Sequence, residues 1–133
     1  MSGVEIIGDL LRAYEPLSEL MQPASIKAGK LPDNVVLPAI LIRSVSVIDR
    51  QRLKREALVR SVERVSVAVR AANYRDQKAA IKLIRRCCRD MTGDLSGCFR
   101  VSILTAGTGP DVGGPANSFE RTQDFRVSFD AAA

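Results

Sequence analysis

Few side chains in this 133-residue chain are equipped for chemistry. It has no histidine, and so lacks both the commonest general base and the commonest neutral metal ligand. Ser-His-Asp, Cys-His and His-ligated zinc chemistries are excluded by counting alone. Of the three cysteines, Cys87 and Cys88 are neighbours and Cys98 stands alone. An odd number without ligand spacing reads as reduced thiols of an intracellular protein, acting as small buried apolar groups. The stretch Gly107-Thr108-Gly109-Pro110, with Gly113-Gly114, has the composition of a phosphate loop. A phosphate cradle, however, leads directly into a helix and carries a Lys followed by Ser or Thr. Here a strand pattern follows and no Lys occurs after Lys82, so 105–118 is expected to be a long flexible loop. Asp124 and Asp130 share a strand face by parity but lie about 20 Å apart, too far to act as an acid–base pair. No catalytic residue, cofactor site or metal site is expected, and the chain reads as a non-enzyme.

The charge is more informative. Twenty Lys and Arg against 15 acids give a net +5, and the distribution is uneven. Residues 26–100 hold 17 of the 20 cations and seven of the 15 acids, so a positive middle is flanked by acidic ends. Two clusters stand out. One is Arg50, Arg52, Lys54 and Arg55 within 49–57; the other is Lys78, Lys82, Arg85, Arg86 and Arg89 on the outer side of a helical pattern. A nucleic-acid surface would use such stripes for phosphate contacts, but aromatic residues are only 5% of the chain and no reading motif is present. The alternatives are a solvated helix face or complementarity between copies of the chain.

These residues must be positioned by a small set of elements. Val4, Ile7, Leu10, Leu11 and Tyr14 fall at helical spacing, with Ser2 and Glu5 placed for a capping box. Pro16 ends or kinks that helix, and Leu17, Leu20 and Met21 continue as a short turn. A short extended piece is expected over 25–28, a largely buried strand over 39–48, and an alternating strand over 58–70. The intervening 49–57 has no Gly, Asn or Pro for a tight turn, so it is either a long exposed ribbon or a loose tip. A second helix is expected from Asn73 or Asp76 to about Met91, closed by Thr92-Gly93-Asp94. Strands follow over 99–104 and around Phe125, Val127 and Phe129, and 131–133 reads as a disordered end. Residues 1–130 are read as a single α+β domain, one mostly antiparallel sheet with two helices packed on one face. No signal peptide and no membrane span are evident, and no membrane partner is expected.

The order of these segments resembles the tail terminator (tail-completion) proteins of long-tailed bacteriophages. The likeness is carried by the first helix with Leu10-Leu11 and residues 17–20, by Ile26-Lys27-Ala28-Gly29-Lys30-Leu31-Pro32 leading into Leu37-Pro38-Ala39-Ile40-Leu41-Ile42, by the helix containing Ala79-Ala80-Ile81 and Ile84, and by the closing strand Thr122-Gln123-Asp124-Phe125-Arg126-Val127-Ser128-Phe129. It covers nearly the whole chain and rests on structural rather than catalytic motifs. It implies a structural virion protein at the neck end of the tail, assembled in the host cytoplasm. Copies would form a hexameric ring that caps the tail tube, stops its polymerisation and offers a surface to the head. The implied partners are further copies of the chain, the tail tube protein and head–tail connector proteins, with DNA only passing through the lumen. Under this reading 49–57 is an arm toward a neighbour or the tube, the basic helix is an inter-subunit or lumen face, and the Gly-rich loop orders only on assembly. The competing readings are another head–tail joining (neck) protein and, from a different class, a small basic nucleic-acid-binding domain.

Overall fold

The computed structural model describes residues 2–32, 34–50 and 57–132. The expected class is observed: a curled, mostly antiparallel sheet in the order β1-β2-β3-β7-β5-β4, with β6 pairing the start of β7. The elements are α1 (Gly3–Ala13), α2 (Glu15–Ser18), β1 (Ile26–Ala28), β2 (Ala39–Arg50), β3 (Leu58–Ala71), α3 (Tyr74–Cys88), β4 (Thr92–Leu95), β5 (Cys98–Thr108), β6 (Val112–Gly113) and β7 (Phe119–Ala132). At the centre, β3 and β7 pair over fourteen residues without a register shift, from Leu58 opposite Ala132 to Ala71 opposite Phe119. Alternation along both strands puts Val65, Val67 and Val69 beside Phe125, Val127 and Phe129 on one face. That face is covered by Ile6, Ile7 and Leu11 of α1 and by Ala80, Ile84 and Cys88 of α3, forming the core.

Local chemistry explains where the helices begin. Asn73 caps α3, accepting the Asp76 N–H at 2.8 Å while its amide donates to the Asp76 carboxylate at 3.1 Å. The capping box expected for α1 does not form, since Ser2 makes no side-chain cap. Instead the Gly3 N–H donates to Glu63 Oε1 of β3 at 3.1 Å. Glu63 is 2% exposed, so a buried carboxylate from the sheet takes the capping role and locks the first turn of α1 onto the core. A Cβ at Gly3 would sit 3.0 Å from Val65 and 3.1 Å from Glu63, so this approach suits glycine.

Several expectations are corrected. β1 pairs parallel to β2, Ile26 opposite Ile40, the one parallel pairing among the described strands. β2 is buried only at its start, and all eight residues from Arg43 to Arg50 are exposed. The register shift between Ser44 and Ser46 inserts Val45 as a bulge, beyond which the strand runs past the helix layer. α3 ends at Cys88, and Asp90, with φ 62°, takes the left-handed position expected of Gly93. Thr92-Gly93-Asp94 belongs instead to β4, which turns into β5 through Ser96 and Gly97, both at positive φ, as a two-residue hairpin requires. The Gly-rich segment is not a long loop. β5 continues to Thr108, β6 adds to β7, and residues 115–118 form one tight turn, Ala116 and Asn117 both at positive φ, closed by the Ser118 N–H donating to the Pro115 carbonyl at 3.1 Å. Of the end expected to be disordered, Ala131 and Ala132 are strand residues opposite Val59 and Leu58, and Ala133 lies outside the described residues.

Parity gives a direct test. Phe125 is fully buried and Arg126 is exposed on the opposite face. Phe125→Ala is expected to cost about 3–5 kcal/mol, a fall in Tm of about 10–20 °C, while Arg126→Ala leaves Tm nearly unchanged. Thermal denaturation of both variants checks the register.

Candidate functional site

The two basic clusters expected from sequence end up in different places. Arg50 ends β2, exposed and directly opposite Arg60; Arg52, Lys54 and Arg55 lie outside the described residues. Lys78, Lys82 and Arg86 are exposed on α3, and Arg89 is exposed just past its end. Arg85 is half-buried and donates to Thr108 Oγ1 at 3.1 Å, which makes it a tie between α3 and β5 rather than an open cation. Lys78 sits 5.6 Å over the Tyr74 ring, and Tyr74 packs edge-on against Phe119.

The Gly-rich segment is held by side chains of α3 and β7. Gln77, fully buried on α3, donates to Asp111 Oδ1 at 3.1 Å, and Arg121 Nε donates to the Gly109 carbonyl at 2.8 Å. The Gly109 N–H donates to the Thr122 carbonyl at 2.9 Å, leaving no room for a side chain, since a Cβ there would lie 2.7 Å from Thr122 Oγ1. The segment is therefore ordered within one chain. Beside it, on the sheet face away from the helices, a cavity of about 400 Å³ is floored by Leu41, Ala68 and Thr122 and walled by Arg43, Arg70 and Glu120. Arg70 and Glu120 pair at 2.6 Å.

The thiols match their expected structural role: all three are free and buried. A hydrogen bond with Cys87 and then burial push the Cys88 thiol far above its usual range, and burial pushes Cys98 up as well. Both are held as thiols, not as thiolate nucleophiles.

Asp124 and Asp130 are ion-pair partners, not an acid–base pair. Asp124 meets Arg64 at 2.8 Å. Asp130 meets Arg100 at 2.6 Å and Arg60 at 3.3 Å, and Arg60 also donates to the Arg100 carbonyl at 2.9 Å. Sequence reading missed these arginines as a group. Their strands were legible, but which of them share one face depends on cross-strand register.

A run of exposed apolar side chains lies on the outer half of β2. Val45, Val47 and Ile48 are 57%, 53% and 65% exposed. β1 reaches only Ile42, so beyond it β2 is, among the described residues, a sheet edge. Edge, both faces and apolar side chains are open together.

The Asp130 site has a definite pH dependence. Its hydrogen bond to Arg100, with Arg60 in support, holds the carboxyl below its ordinary range against the opposing effect of burial. A depressed folded pKa contributes stability that is present above the unfolded value, about 3.9, and is lost as pH falls through the folded one. Tm measured against pH should therefore carry an acid-side decline below about pH 4 that is reduced in Asp130→Asn. An unchanged acid limb in that variant would contradict the pairing.

No family model matches the chain, and no curated protein matches it. Among solved structures, a chain described as "Virion of native gene transfer agent (GTA) particle" is similar, with a TM-score of 0.71 at 13% identity. The match covers 98% of this chain and 96% of that one. The shared feature is the fold, and it is shared from end to end.

Proposed function

We propose that this chain is a structural protein of a phage-like particle: a tail terminator whose copies form a hexameric ring that caps the tail tube, halts its growth and offers a joining surface to the head. The role is geometric and non-catalytic. The observation that carries it is the outer half of β2, where eight consecutive residues are exposed and three of them are apolar. Exposed apolar residues beside an open strand edge mark a protein-docking element. The end-to-end likeness to a chain of a gene transfer agent virion supports a place in such a particle. The expected partners are further copies, the tube protein and head–tail connector proteins, with DNA confined to the lumen. In this role the ribbon projecting past the helix layer is an arm to a neighbouring subunit or to the last tube ring. The Gly-rich segment needs no assembly step to order, because its bonds are internal.

The arm is testable without touching the core. Val47→Asp with Ile48→Asp changes two exposed residues and should leave Tm within a few degrees. Capture of tail tube protein from the cognate particle, or assembly into rings, should be lost. Retained capture and retained rings would contradict the arm's role. Capture of connector protein but not tube protein would move the chain to another position in the neck.

A further inference from the structure

The sheet face turned away from α1 and α3 is dominated by arginine. Register places Arg64 directly opposite Arg126 and Arg50 directly opposite Arg60, on the same face as Arg43 and Arg100. Like charges directly opposite one another destabilise a sheet, so the arrangement works against the isolated subunit. Three carboxylates share the face among the described residues, Glu120, Asp124 and Asp130, and all are already engaged by Arg70, Arg64, Arg60 and Arg100. These pairs fix the guanidinium groups in place and leave a surplus of positive charge.

The same face carries Ile48, Leu104 and Phe99, which are 65%, 50% and 45% exposed. Their positions follow from the pairing of Ile48 with Val62, Leu104 with Arg126 and Phe99 with Asp130. Arginine interleaved with exposed aliphatic and aromatic residues is the composition of a protein interface. A surface that only tracks phosphates has no use for the apolar component.

A complementary surface exists on the same molecule. On α1 and α2, Glu5, Asp9, Glu15 and Glu19 are all exposed. The single cation there, Arg12, donates to the Ile26 carbonyl at 3.0 Å. Half-buried Leu10, Tyr14 and Leu20 lie among these acids. This surface belongs to the helix layer, and the arginine face is the far side of the sheet.

We propose that the arginine face of one copy docks on the acidic α1–α2 surface of a second copy. Each copy offers one surface of each kind, so the contact is heterologous and repeats until rotation closes it into a ring. The inference rests on the ring-forming reading above and names the contact that would build the ring.

The test is a charge swap read by sedimentation of the full chain. Arg64→Glu with Arg126→Glu, and separately Glu15→Lys with Glu19→Lys, should each raise the concentration needed for self-association by about tenfold or more. The helix variant alters only exposed groups, so it remains informative if the sheet variant folds poorly by circular dichroism. Mixing the two variants should restore assembly, because each supplies the surface complementary to the other's. Rings that survive both swaps would overturn this contact while leaving the ring reading intact; a wild-type chain that stays monomeric would overturn both. Unchanged assembly, together with loss of binding to short duplex DNA in the sheet variant only, would overturn the proposal and assign the face to a polyphosphate.

Discussion

Everything else in the molecule hangs on the fourteen-residue register between β3 and β7. Side chains alternate along both strands, so the register decides at once what is core and what is surface. Val65 beside Phe125 builds the floor under the helices, and Arg64 beside Arg126 builds the charged outer face. A slip of one residue would bury the arginines and expose the valines. Core packing therefore holds the like-charged pairs in place, because the burial of Phe125, Val65 and Val127 outweighs the repulsion on the other side.

The helix layer is tied to that sheet at a few defined points. Glu63 reaches from β3 to the start of α1, Gln77 reaches from α3 to the Gly-rich segment, and Arg85 reaches to β5. None of these ties covers the outer half of β2, which leaves the helix layer behind after the Val45 bulge. The result is a rigid two-layer body with one projecting edge. That division between a well-anchored body and an open arm suits a part whose work is to join others.

The sequence made the element types legible where one periodicity dominated. The 3.6-residue pattern located both main helices, and strict alternation located β3 and the end of β7. It also set the class of the fold. What it could not convey were the features fixed by partners distant in the chain. Ser2 looked like a cap, but the cap is Glu63, sixty residues away. β2 looked buried because its residues are apolar, but no helix lies over its outer half. Gly93 looked like a helix stop, whereas Asp90 supplies the left-handed residue and Ser96-Gly97 makes the turn. For the candidate surfaces, the basic stripe of α3 was visible from its spacing. The arginine face was not, since it is assembled from β2, β3, β5 and β7 by pairing alone.

The two oppositely charged surfaces give a physical sense to the uneven charge of the chain. The acidic N-terminal helices and the arginine-bearing strands lie on opposite sides of one sheet, an arrangement suited to repeated head-to-tail contact. The most direct measurement is a negative-stain image of the purified full-length chain. Closed rings of six copies with a central opening are the expected result. A field of single, unassembled particles at every concentration would contradict it.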